Sequence, residues 1–198
     1  MRWARSTGRC GVSTARTYAP TKPPPAREKN LPHHEPTDHA LGRSRGGWGT
    51  KLHLVTDGCG LPLTVQVSAG QAHESLFAEP VLNAVRIVQA HGPPRRRPEK
   101  LAGDRGYSYR RIRRWLRKHH VGAVIPERRD QIAQRRGRPP KFDPQQYRRR
   151  NVIERCVSWL KEARAVATRF EKLAVHYLGC IKLAMIRRHL RAILSNRP

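Results

Sequence analysis

The stretch Thr50-Lys51-Leu52-His53-Leu54-Val55-Thr56-Asp57-Gly58-Cys59-Gly60-Leu61-Pro62-Leu63-Thr64-Val65-Gln66-Val67 decides the fold class. Two runs rich in Leu, Val and Thr flank Asp57-Gly58-Cys59-Gly60, whose aspartate and glycines are turn formers. The stretch therefore reads as a hairpin, Lys51–Val55 outgoing and Leu61–Val67 returning, closed by Gly70. Downstream the apolar period changes. Leu76, Phe77, Val81, Val85 and Val88 recur at helical spacing, which predicts a helix from about Ser75 to Ala90 with Pro80 in its first turns. A basic, proline-rich loop follows from Gly92 to Pro98. Lys100-Leu101-Ala102-Gly103-Asp104 then reads as a brief buried strand with an aspartate at its carboxyl end.

The rest of the chain continues the alternation. Tyr109 to His119 is a basic amphipathic helix with Ile112, Trp115 and Leu116 inward, and Gly122–Pro126 is a second buried strand. Arg128 to Pro144 is a basic linker, and two helices, Gln146–Thr168 and Ala174–Ser195, end the sequence. Upstream, Pro20, Pro23, Pro24, Pro25, Pro32 and Pro36 interrupt any period. Residues 1–47 are expected to be a disordered basic segment, and 48–198 one α/β domain with helices covering a mixed sheet.

Charge narrows the partners. Lys and Arg number 41 against 14 acidic residues, a formal charge of +27. Self-repulsion on that scale calls for a polyanion, and nucleic acid leads over an anionic membrane surface or a ribosome-like role. No apolar run approaches the ~20 residues of a membrane span and no signal-type segment opens the chain, so a cytoplasmic protein is expected. The four cysteines are scattered without zinc-knuckle spacing. His33, His34 and His39 cluster in a proline-rich stretch that does not preorganise metal ligands.

Because acids are scarce, their positions are informative. Asp104 ends a strand, where open α/β sheets present functional groups. At 100° per residue Tyr147 falls about 20° from Glu154, Arg150 about 40° and Lys161 about 20°. Val152, Cys156, Leu160 and Ala163 lie roughly opposite. A face that mixes one carboxylate, two cations and a tyrosine is either a solvated surface or a phosphate site.

These residues resemble a known family. Tyr147-x-x-Arg150-x-x-x-Glu154-x-x-x-x-x-x-Lys161 matches the signature of DDE transposases of bacterial insertion sequences. Arg150–Cys156 and Ala167–Lys172 are similar to the group typified by insertion sequence five. Gly42-Arg43-Ser44-Arg45-Gly46-Gly47, Gly70-Gln71-Ala72-His73-Glu74 and Ala102-Gly103-Asp104-Arg105-Gly106-Tyr107 match as well. The resemblance covers about residues 37–194. It implies a ribonuclease-H-like fold in which three acids hold two divalent metals, Mg2+ or Mn2+, for DNA cleavage and strand transfer. It makes Asp104 the second acid and Glu154 the third, both catalytic and both metal ligands. Tyr147, Arg150 and Lys161 are then DNA-binding, and the transposase self-associates on double-stranded DNA.

The family's first aspartate stands in a Val-Asp-Ser-Thr-like run on the first strand, and this chain has no aspartate before Asp38. Asp57 ends a strand and is the residue-level candidate, but the resemblance places it in the hairpin turn. Asp38 is a weaker candidate. Permitted codons for Gly11–Thr21, shifted by two bases, read Arg-Val-Asp-Ser-Thr. The expectation is therefore that residues up to about Ala26 are out of frame, that the first strand is missing and that activity is impaired. The alternative is a non-catalytic DNA-binding remnant. Arg135-Arg136-Gly137-Arg138-Pro139-Pro140-Lys141 resembles a minor-groove AT-hook core, which makes Arg138 a further DNA-binding candidate beside the reading as a charged connector. Arg95-Arg96-Arg97 are expected to be general phosphate contacts.

Overall fold

The computed structural model describes residues 39–195, together with the backbone of Arg9–Tyr18. The strands are β1 (Arg9–Tyr18), β2 (Gly42–Ser44), β3 (Gly47–Asp57), β4 (Pro62–Ala69), β5 (Lys100–Ala102) and β6 (Gly122–Val124). The helices are α1 (Glu74–Asn83), α2 (Arg110–Lys118), α3 (Arg129–Ala133), α4 (Pro144–Arg148), α5 (Asn151–Lys161), α6 (Arg164–Ala167) and α7 (Ala174–Ser195).

All six strands form one mixed sheet. The hairpin is present as read: β3 and β4 pair antiparallel from Thr50↔Ala69 to Thr56↔Pro62. β2 extends the β4 side of β3 through a short hairpin at Gly47–Gly49. On its other side β3 pairs antiparallel with β1 from Cys10↔Asp57 to Tyr18↔Gly49. β1 in turn runs parallel to β5, and β5 parallel to β6.

The presence of β1 corrects the expectation of a missing first strand. Residues 9–18 are hydrogen-bonded at the centre of the sheet, so the out-of-frame reading, which required that they form no strand, is withdrawn. Ladder bonds use backbone groups that every residue except proline supplies. Val12, Thr14, Thr17 and Tyr18 are in addition strand formers. Order also begins before residue 48, with β2 at Gly42. The remainder of the expected disordered segment, including His33, His34 and Asp38, lies outside the described residues.

Helices cover both faces of the sheet, and the period of two along β3 sorts them. Val55 joins Ala78, Val81, Leu82, Leu101, Tyr107, Ile112 and Leu116 in a core under α1 and α2. Leu52 and Leu54, of opposite parity, join Ile153, Cys156, Leu160, Val166, Tyr177 and Ile181 under α5, α6 and α7. Covered on both sides, β3 is buried from Gly49 to Asp57.

Two helices differ from expectation. α1 stops at Asn83 rather than Ala90. Arg97 closes its end by donating to Leu82 O (3.1 Å) and Asn83 Oδ1 (2.8 Å), and Ile87 pairs with Arg95 in an isolated bridge. Arg97 also lies over the Trp115 ring, and Arg95 pairs with Glu99. Two of the three loop arginines read as phosphate contacts therefore also make bonds within the chain. The helix expected over 146–168 is three pieces, α4, α5 and α6. Asp143 caps α4 through the amides of Gln145 and Gln146, and extended Ala163 separates α5 from α6. α7 has the expected bounds.

His53 is buried, shares a 2.7 Å hydrogen bond with Ser68 Oγ and stacks on Phe77. Burial, helped by the charge of Lys51, pushes its pKa from 6.5 down to about 4. Between those values the unfolded chain binds a proton that the folded chain refuses, so stability is full above pH 6.5 and falls towards pH 4. The loss is on the order of 3 kcal/mol. Urea unfolding followed from pH 7 to 4.5 should show this decline, and His53→Gln should flatten it.

Candidate functional site

Asp104 stands just past the carboxyl end of β5, half-buried, where its Oδ1 accepts from Gly106 N at 2.9 Å and caps the turn Arg105–Tyr107. Gly106 is tightly placed. A Cβ there would stand 3.0 Å from Asp104 Oδ1 and 3.1 Å from Glu74 Oε2. Glu74, in the first turn of α1, is thus the carboxylate that the fold brings to Asp104. The Gly-Gln-Ala-His-Glu motif was the available signal, and sequence reasoning gave Glu74 no role. Lys51 Nζ lies 3.8 Å from Glu74 Oε1 and donates to Ala72 O at 2.6 Å. Beside the pair, Tyr109 OH shares a 3.0 Å hydrogen bond with His73 Nε2 and accepts from Arg128 at 2.9 Å.

The second group is on α4 and α5. Arg150 lies over the Tyr147 ring and donates to Glu154 Oε1 at 2.5 Å. Glu154 is exposed, while Ile153, Cys156 and Leu160 turn inward, so Glu154 does not face the core. Lys161, two turns further on, is also exposed. Tyr147, Arg150 and Glu154 therefore form a ladder along one surface, despite the break between the helices.

Among the described residues, no hydrogen bond or ion pair joins the two groups. The α5 N-terminus abuts the hairpin turn, with Val152 O 3.2 Å from where a Gly60 Cβ would stand. Asp57 at that turn pairs with Cys10, the start of β1, whereas Asp104 lies beyond the carboxyl ends of the parallel strands. Asp104 precedes the turn that packs with α1, and Glu154 rides on α5, which packs against the other face of the sheet. Among the described residues, no three His, Cys, Asp or Glu side chains converge to hold a metal. Asp57 does not fill the gap. Its Oδ1 accepts from Cys59 N (2.9 Å) and Leu61 N (2.8 Å), which is turn formation. β1 itself, Arg-Cys-Gly-Val-Ser-Thr-Ala-Arg-Thr-Tyr, contains no acid.

An open groove of about 1430 Å3 runs between α2 and the 128–146 segment. Ser75, next to Glu74 in the chain, and Tyr109 are among its lining residues. Arg110, Arg114, Arg117, Arg136, Arg138 and Lys141 also line it, and none has an acidic partner among the described ion pairs. Arg135, by contrast, pairs with Glu127 at 2.6 Å.

Several family-like motifs are architectural. A Cβ on Gly70 would meet Gly42 O at 2.7 Å and Gly49 O at 2.9 Å, so the glycine-rich segment and the Gly70 turn pack backbone to backbone. Arg169 is buried, donates to Ala40 O, Thr50 Oγ1, Glu171 O and Lys172 O, and lies over the Tyr177 ring. It ties the start of β3 to the segment before α7.

Fold and site define a class: a mixed α/β domain with an acidic edge beside a groove of uncompensated cations. The chain belongs to the Transposase DDE domain family, whose model matches residues 28–187 and so begins after β1. It is 32% identical over 149 residues, 75% of its length, to the Burkholderia cepacia protein titled "Putative transposase for insertion sequence element IS402". It spans 63% of that relative. Superposition on the piggyBac transposase synaptic complex with hairpin DNA covers 96% of this chain and 49% of that one, at 13% identity and a TM-score of 0.47. Among the described residues no helix is long and apolar enough to cross a membrane.

The structure separates anchoring from surface residues, and stability measurements should do the same. Arg169→Ala should cost more than about 3 kcal/mol, because it leaves several buried acceptors unpaired. Glu154→Ala removes an exposed i,i+4 pair and should cost less than about 1 kcal/mol. Equal losses in urea unfolding would contradict this division.

Proposed function

We propose that this chain is a DNA transposase of the DDE class, built for metal-dependent cleavage and strand transfer of an insertion sequence and impaired for that chemistry in this form. The observation that carries the reading is β1. The resemblance implies a first acid on the first strand, and β1, the first strand of this chain, is paired into the sheet and contains no carboxylate. The order β4–β3–β1–β5–β6, antiparallel in its first half and parallel in its second, supports the ribonuclease-H-like assignment.

Asp104 and Glu154 are the acids we assign to catalysis and to Mg2+ or Mn2+, and their oxygen chemistry suits those ions. The set does not fit two cations. Asp104 has Glu74 for a neighbour, and Glu154 is neutralised by Arg150. Two dications about 3.5–4 Å apart need more negative charge than this to offset their repulsion. We assign Tyr147, Arg150, Lys161 and Arg138 to DNA phosphates, and the cationic groove to the path of the backbone. That groove favours a second reading, a non-catalytic DNA-binding role, which differs from the first only in whether cleavage can be restored.

Duplex DNA binding should be salt-sensitive and weakly dependent on sequence, with each neutralised phosphate adding about −0.9 to the slope of log K against log salt. Arg114→Ala with Arg117→Ala should reduce the slope by about 2. A flat salt response would contradict a phosphate-tracking groove. In a Mn2+-dependent nicking assay on end-containing DNA, the chain as it stands should be inactive. By continuation of the β1–β5 register, Ser13 is level with Asp104. Val12→Asp or Ser13→Asp should therefore raise nicking, and Asp104→Ala should remove the gain. Robust nicking by the unaltered chain would refute the impairment. No gain from either aspartate would favour the DNA-binding role.

A further inference from the structure

The chain between α3 and α4 forms an exposed strap tied down at both ends. Arg135 fixes its beginning through Glu127 at 2.6 Å. Asp143 fixes its end by capping α4, and Phe142 rests against the Tyr147 ring. Between these anchors Arg136-Gly137-Arg138-Pro139-Pro140-Lys141 is neither helix nor strand and contains no acid. Among the described residues, the side chains of Arg136, Arg138 and Lys141 make no hydrogen bond or ion pair, and no amide of the strap bonds to another backbone group. The strap lines the cationic groove whose other wall is α2.

Gly137 shapes it. Its φ is 101°, in the left-handed region that glycine tolerates. A Cβ there would meet no atom within 4 Å, so the backbone bend requires this glycine and packing does not. The same openness leaves bare backbone between two unpaired arginines. A guanidinium carries only donors, and the free amides beside it add more. In the minor groove an A·T pair shows only acceptors, adenine N3 and thymine O2, whereas a G·C pair adds the guanine amino donor. A strap of donors is complementary to the first floor and opposed by the second. A-tracts also narrow the groove and strengthen its negative potential, which draws arginine in. A plain connector between two helices needs none of these features.

We propose that Arg136–Lys141 lies in the minor groove of A·T-rich duplex DNA, with Arg136 and Arg138 donating to the groove floor on either side of Gly137. This rests on the proposed binding of duplex DNA at the cationic groove, and it narrows Arg138 from a phosphate contact to a reader of base composition. The opposite wall, with Arg110, Arg114 and Arg117 on α2, is left for the phosphates alongside. What is read is composition rather than one sequence, because A·T and T·A look alike from the minor groove.

Fluorescence anisotropy of the whole chain tests it, on A-tract, G·C and inosine·C duplexes of equal length at one salt concentration. Inosine is guanosine without the base amino group, so it alters the minor-groove floor of a G·C duplex and leaves its major-groove edges unchanged. The A-tract duplex should bind about fivefold tighter than the G·C duplex, and the inosine duplex should follow the A-tract. Arg138→Lys keeps the charge but loses the planar fork, and should bring the ratio close to one. Gly137→Ala meets no atom of the chain but strains the bend, and should do the same without changing the circular dichroism spectrum. Salt-sensitive binding with equal affinity for all three duplexes would overturn the proposal and leave the DNA-binding role standing. A preference that inosine does not reproduce, or that survives Arg138→Lys, would overturn it as well. Failure to bind any of the duplexes would overturn both.

Discussion

The pairing of β1 on both of its edges is the interaction on which the rest depends. On one side it carries the antiparallel hairpin, and on the other it carries β5 and β6 in parallel. Without it the β2–β3–β4 ribbon and the β5–β6 pair are two small sheets, neither of which closes a core alone. Because β1 fixes where β5 lies relative to β3, it also fixes where Asp104 emerges. The site inherits its geometry from a strand that gives it no acid.

The contacts that hold the fold together are correspondingly independent of the acids. Glycine contacts at Gly42, Gly70 and Gly106 and the buried Arg169 clamp depend on backbone shape and hydrogen bonding. None of them requires an acid on β1. The basic surface is likewise independent of it, since Arg110, Arg114 and Arg117 project from α2 whatever β1 carries. Neither the architecture nor the basic surface therefore depends on the acids of the proposed site.

Much of this was legible in the sequence. The hairpin, β5 with its terminal aspartate, α2, β6 and α7 all follow from turn residues and apolar period. β1 was not, because its pairing relies on backbone groups and its side chains show no apolar alternation. The end of α1 was hidden because it depends on Arg97, fourteen residues beyond Asn83, and the breaks around α5 arise at Arg149 and Ala163 without glycine or proline to mark them. At the site, the surface ladder Tyr147–Arg150–Glu154 was computable from helical spacing. The approach of Glu74 to Asp104 was not, since it is created by a long-range packing of α1 against the turn after β5.

The central claim is that a complete sheet holds an incomplete set of acids. Counting bound ions tests it most directly, by titrating Mn2+ into the chain and following the free ion by electron paramagnetic resonance. The account predicts at most one weakly held Mn2+, reduced by Asp104→Ala, because Asp104 has only Glu74 beside it and Glu154 is paired with Arg150. Two tightly bound Mn2+ per chain would contradict it and would require a third carboxylate at the Asp104 edge.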